Sequence, residues 1–170
     1  KVLHDGVFEY PVLDKVNVKP KSKTSVNMLN KNVKLDDGKF EIIFHPSSSV
    51  YDGRYANNGW LQEIPKPITS LTWDNAALIS MKVAKKLNIK NGQMLEITVG
   101  GNSIKIPAFI TPGQNQKSIS LELGYGRQFN GRIGNGVGYN VYPLRTSSNS
   151  CFMLNGTIKV LNETYPLAST

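Results

Sequence analysis

Two apolar runs of period two, separated by a pair of glycines, lie in the middle of the chain. Leu95, Ile97 and Val99 alternate with other residues, Gly100-Gly101 follows, and Ile104, Ile106, Ala108 and Ile110 alternate again. Strand side chains point to opposite faces in turn, so each run presents one apolar face. A two-residue hairpin turn needs positive φ, which glycine adopts without strain. The segment therefore predicts a β-hairpin with one face on a core. Upstream, Phe40, Ile42 and Phe44 predict a strand that ends at His45-Pro46 and a Ser-rich turn. Downstream of the turn signal Thr111-Pro112-Gly113, Ile119, Leu121 and Leu123 predict another. Two further strands are expected at residues 139–145 and 157–161.

Helical signals are sparse. Residues 80–87 read as the main helix, with Ser80 as N-cap, Val83, Ala84 and Leu87 on one face, and Asn91-Gly92 as the stop. Short strands around so little helix predict a mainly β fold, a small barrel of six or seven strands with one or two short helices. Repeated βαβ units would need more helices. A chain of 170 residues, 39% hydrophobic, suffices for one such core. Residues 1–38 are less regular, with Lys15, Lys19, Lys21, Lys23, Lys31 and Lys34 among Asn and Ser, and with Pro11 and Pro20. They are expected to be a connector from a preceding domain, leaving 39–170 as the barrel domain. The start at Lys1 fits a segment of a longer protein.

The formal net charge of +8 raises the question of an anionic partner. Residues 1–39 hold eight basic and five acidic side chains, so the excess is spread thinly and no polybasic arm forms. Basic residues are not interleaved with aromatics as nucleic-acid stacking platforms require, so no nucleic-acid partner is expected. The single cysteine, Cys151, supplies neither an internal disulfide nor an iron–sulfur cluster within this chain. His4 and His45 stand far apart without a ligand pattern, so no metal site is expected. No stretch is long enough for a membrane span or reads as a signal peptide, so a soluble fragment without membrane insertion is expected. No GxSxG, HExxH or paired-carboxylate motif occurs apart from Asp36-Asp37 in a turn-like Asp-Asp-Gly. Asp74 is expected to hydrogen-bond near the helix start. No catalytic residue is assigned, and the isolated chain is expected to be catalytically silent.

Two segments stand out as recognition loops. Residues 124–138 hold six glycines with Arg127 and Arg132. Such a stretch brings bare backbone N–H groups and guanidiniums to an anion, or else lets a long crossing loop pack closely. It matches neither the P-loop nor the GxGxxG fingerprint. The other segment carries Tyr51-Asp52-Gly53-Arg54 and Asn57-Asn58-Gly59-Trp60. There the indole is either a stacking surface for a flat ligand or a core plug, and the asparagines either bind or make Asx-turns.

Taken in order, Tyr51-Asp52-Gly53-Arg54, Asn57-Asn58-Gly59-Trp60-Leu61-Gln62-Glu63-Ile64-Pro65, Thr72-Trp73-Asp74-Asn75-Ala76-Ala77-Leu78-Ile79-Ser80 and Leu123-Gly124-Tyr125-Gly126-Arg127 with Gly131 to Asn140 resemble a family. It is the C-terminal, pterin-dinucleotide-binding domain of molybdopterin oxidoreductases. Within them the chain is most similar to the molybdopterin-oxidoreductase-like component of bacterial alternative complex III, over roughly residues 39–147. The resemblance implies a double-psi β-barrel and a role as C-terminal module of an electron-transfer subunit whose iron–sulfur clusters lie in other domains. It implies a site for molybdopterin guanine dinucleotide, with Asn58 and Trp60 from the first loop, Asn75 at the helix start, and Arg127, Asn135 and Asn140 from the last loop. It equally admits a cofactor-free structural or assembly domain, since the complex III-like relatives keep the fold without the molybdenum cofactor. The implied partners are the preceding and following domains and other respiratory-complex subunits. The implied location is the periplasmic side of the bacterial inner membrane.

Overall fold

A computed structural model describes residues 2–6, 14–19 and 34–169 of the chain. Two compact units separate at Val33 and Lys34. In the first, Val2–Asp5 forms a single helical turn, α1, and residues 14–19 have no regular structure. Most of the lysine-rich stretch expected to be a connector lies outside the described residues.

The second unit is a mainly β, closed barrel of six strands. These are β1 (Phe40–His45), β2 (Ala77–Ile79), β3 (Gln93–Val99), β4 (Asn102–Ile110), β5 (Ser118–Glu122) and β6 (Phe152–Thr164). Two short helices, α2 (Gly59–Glu63) and α3 (Met81–Leu87), and a 3-10 turn, Tyr142–Leu144, complete it. Around the barrel the order is β1-β5-β2-β4-β3-β6. β1 runs parallel to β5 and β2 parallel to β4, while the other neighbours are antiparallel. The connection from β1 to β2 passes over β5, and that from β4 to β5 passes over β2. Each crossover thus spans the strand on which the other ends, which is the double-psi arrangement.

Alternation explains the closure. Ile42, Leu95, Ile97, Ile106, Ile119 and Leu121 are fully buried, each at an inward position of its strand. Burial of such a side chain contributes roughly 1.5–3 kcal/mol. Registers stack them, with Ile42 opposite Ile119, Leu95 opposite Ile106 and Ile97 opposite Ile104. The β3–β4 hairpin turns on Gly100 (φ 60°) and Gly101 (φ 85°), as the glycine pair requires.

Several expectations need correction. Residues 139–145 form no strand: Asn140 Oδ1 accepts from Tyr142 N at 3.0 Å, and the Pro143-containing 3-10 turn follows. Ala77–Ile79 is a strand hidden just before the helix. The helix starts where expected, with Ser80 Oγ accepting from Val83 N at 3.2 Å, but ends at Asn88, whose left-handed φ of 54° caps it. Asn91-Gly92 instead turns the chain into β3. The last strand runs the full length of Phe152–Thr164, broken by a register shift opposite Phe40 and Ile42.

Candidate functional site

Because β1 and β5 are parallel neighbours, with His45 paired to Glu122, both leave the barrel at the same end. Leu123 N donates to His45 O at 2.9 Å, so the loops that follow begin side by side.

The first loop, residues 46–58, folds on itself. Ser47 and Tyr51 exchange backbone hydrogen bonds at 2.8 and 3.2 Å. Arg54 grips Asp52 in a two-point pair at 3.0 and 2.8 Å, which holds the Asp52 carboxyl down at about 2. Asn58 Oδ1 then accepts from Trp60 N at 3.1 Å and Leu61 N at 3.4 Å and starts α2. Trp60 follows on the first turn with its side chain 85% exposed, so the indole is no core plug. Gln62, buried on the opposite side, donates to Ala56 O at 3.0 Å and fixes the helix to the loop.

The second loop, residues 123–141, lies against the first. Gly126 N donates to Val137 O at 2.7 Å and Gly136 N to Arg127 O at 2.9 Å, which pins its two arms together. Asn135 Oδ1 accepts from Asn130 N within that loop. Arg127 donates to Gly53 O at 2.6 Å and Tyr142 Oη to Asp52 O at 2.7 Å, both across to the first loop. A Cβ on Gly126 would overlap Asn140 N, one on Gly131 the Asn57 amide, and one on Gly134 would lie 2.5 Å from Ala56 O. Gly131 and Gly134 therefore permit loop-on-loop contact and Gly126 lets the second loop close on itself, whereas Gly136 (φ 69°) faces open space.

Between the loops runs an open groove of about 500 Å³ bordered by Arg54, Tyr55, Asn57, Asn58, Trp60 and Ile133. Asn58 and Trp60 thus border the groove, which the glycine-rich loop reaches through Ile133, while Arg127, Arg132 and Asn135 lie outside its lining. Arg127 and Arg132 have no carboxylate partner among the described residues, and both are exposed. Asn75 and Asn140 sit apart as braces. Asn75 is not at the helix start but precedes β2, fully buried, with Nδ2 donating to Glu122 O at 2.8 Å and Tyr139 O at 3.0 Å. The barrel end thus carries an exposed indole at the groove, two exposed guanidiniums on the neighbouring loop outside the groove lining, and amide nitrogens on Asn58 and Asn135 left over once their oxygens are used.

Beneath the loops lies a polar cluster that no sequence motif announces. Lys66, 6% exposed, donates to Glu122 and to Asp74 O at 2.5 Å, with its ammonium 4.3 Å from the Tyr125 ring centroid. Burial pulls the Lys66 amine below its ordinary value, opposed by the Glu122 charge. Asp74 accepts from Tyr165 Oη at 3.0 Å, and burial raises its carboxyl. Burial beside Asp74 also lifts the Tyr165 hydroxyl to about 12. Asp74 does hydrogen-bond, but to the C-terminal segment and not at the helix cap. Lone charges at positions 66 and 122 carry no local signal, since 56 residues separate them.

Among the described residues no group of His, Cys, Asp and Glu could hold a metal, and no helix is long and apolar enough to cross a membrane. No protein-family model matches the sequence, and no curated protein matches it. Among solved structures the chain is similar to acetylene hydratase from Pelobacter acetylenicus, with a TM-score of 0.52 over 71% of this chain at 12% identity. It spans 18% of that chain's length, and the likeness is one of fold.

Proposed function

We propose that the chain is the C-terminal module of a molybdopterin oxidoreductase-type electron-transfer subunit, and that its barrel-end groove receives a pterin guanine dinucleotide. One observation carries the reading: the glycine- and arginine-bearing loop lies directly against the loop bearing Trp60, with a groove between them. The fold match to a small part of a much longer enzyme supports a modular role. In this reading the Trp60 indole stacks on a flat base and the amide of Asn58 donates at the groove edge, while Arg127, Arg132 and the amide of Asn135 reach the pyrophosphate from the adjoining loop, beyond the groove lining. When bound, the cofactor supplies redox chemistry at a metal held by other parts of the parent protein. The residues of this chain bind and orient it.

Thermal unfolding of the 170-residue chain with guanosine diphosphate or the pterin guanine dinucleotide tests this. A ligand that binds only the folded chain stabilises it by about 2.7 kcal/mol at a hundredfold excess over Kd. The Trp60→Ala and Arg127→Ala/Arg132→Ala variants are expected to lose the shift. No shift for the native chain overturns the proposal.

A second reading is favoured by the glycine contacts. Gly126, Gly131 and Gly134 face protein atoms and serve loop packing, as in a cofactor-free assembly domain of a quinol-oxidising respiratory complex. There the exposed Trp60, Ile64, Ile68 and Phe129 meet neighbouring domains or subunits on the periplasmic side of the bacterial inner membrane.

A further inference from the structure

A second cavity, of about 250 Å³, opens at the same barrel end but is lined by other residues, at the ends of β1, β2 and β5. Its walls are largely apolar, with Pro46, Ile68, Leu71, Ala76 and Leu78 contributing, and Glu122 supplies a carboxylate. Ile68 is 82% exposed and marks the rim, whereas Leu71 and Ala76 are buried in the floor.

His45, Ser48 and Thr69 also line this cavity, but its charged pair is one-sided. Lys66 also borders it, yet its ammonium is engaged by two hydrogen bonds, to Glu122 Oε2 and Asp74 O, and lies over the Tyr125 ring. Glu122 is engaged through Oε2 alone. Its other oxygen has no hydrogen-bond partner among the described residues, so the free polar atom of the pair is an acceptor. The ion pair is already neutral. A cationic guest would bring an uncompensated charge into an apolar space, and an anionic guest would meet a carboxylate oxygen.

We propose that this cavity is a binding site for a small neutral molecule with an apolar ring body and one hydroxyl or N–H group, which donates to the free oxygen of Glu122. The size agrees with the class, since an apolar cavity of about 150 Å³ accommodates benzene and this one is larger. The site does not depend on the groove beside Trp60 or on any dinucleotide reading.

Methyl-selective NMR of the chain, titrated with indole, phenol and toluene, tests the proposal. Indole and phenol are expected to shift the Ile68, Leu71 and Leu78 methyls in a saturable way, and toluene, which lacks a donor, to bind at least about fivefold more weakly. Ala76→Leu, which fills the floor, is expected to abolish the shifts. Leu78→Trp, at a half-buried wall position, provides the same block should the floor variant fail to fold. Absence of saturable shifts with indole and phenol, toluene binding as tightly as phenol, or unchanged binding in a folded blocking variant would each overturn it.

Discussion

Asn75 and Tyr139 clasp one another's polar groups across the loops of the barrel end. Asn75 Oδ1 accepts from Tyr139 N at 2.7 Å while Asn75 Nδ2 donates to Tyr139 O at 3.0 Å and to Glu122 O at 2.8 Å. A side-chain amide so placed imitates a strand partner and holds the end of the glycine-rich loop onto the barrel. Asn75→Ala strands these backbone groups in a buried setting, at about 1–3 kcal/mol for each one left unsatisfied. The expected total loss is about 3 kcal/mol by urea unfolding, with Asn75→Asp no better because it cannot donate to the two carbonyls.

The buried pair Lys66 and Glu122 predicts a non-additive response. Removing one partner leaves the other charged and unpaired, so Lys66→Met alone is expected to cost about 3–5 kcal/mol. Lys66→Met with Glu122→Leu is expected to cost much less than the sum of the two single changes. A double-mutant cycle by chemical denaturation measures the coupling.

The raised carboxyl of Asp74 gives a pH dependence of definite sign. Burial is the main cause, and the Tyr165 hydroxyl and Lys66 charge oppose it only in part. The folded chain then holds the Asp74 proton more tightly than the unfolded chain does. Stability from this group is fully present below the ordinary value of 3.8 and is lost as pH rises through the folded value. Asp74→Asn does not titrate, so it is expected to be more stable than the native chain at pH 7 and to lose that advantage near pH 3.5. Unfolding at both pH values checks the crossover.

Two glycines in one loop separate strain from contact. Gly136→Ala meets only the cost of a positive φ, about 1–2 kcal/mol. Gly126→Ala meets the same strain at φ 74° and also drives a Cβ into the backbone of Asn140. It is expected to destabilise by clearly more, as measured by thermal unfolding of both variants.

Much of the barrel is legible in the sequence because its strands obey a simple alternation. In β1, the β3–β4 hairpin and β5 the apolar residues at alternate positions are the buried ones, and the glycine pair marks its own turn. β2 is hidden because three residues are too few to establish a period, and its end merges with the helix cap Ser80. The last strand reads short because Asn155, at a φ of 66°, and Gly156 interrupt the pattern where a side chain would press on Ile42. Residues 139–145 have the apolar spacing of a strand, but Asn140 diverts the backbone into a capped turn. In the candidate site, the proximity of the Trp60 loop and the glycine-rich loop follows from the parallel pairing of β1 with β5. Nothing local announces that pairing. The same holds for Lys66, which sits between two prolines like a loop residue and is buried only because Glu122 arrives from a distant strand.

The interlocked crossovers of the barrel carry a consequence for how the chain acquires its shape. β5 closes a gap between β1 and β2, so no subset of strands ending at Ile110 makes a sealed wall. The parallel β1–β5 contact joins positions more than seventy residues apart, and loop-closure entropy must be met before that contact contributes. A chain cut after β4 is therefore expected to remain without a fixed tertiary structure, and the intact unit to form in one cooperative, comparatively slow step.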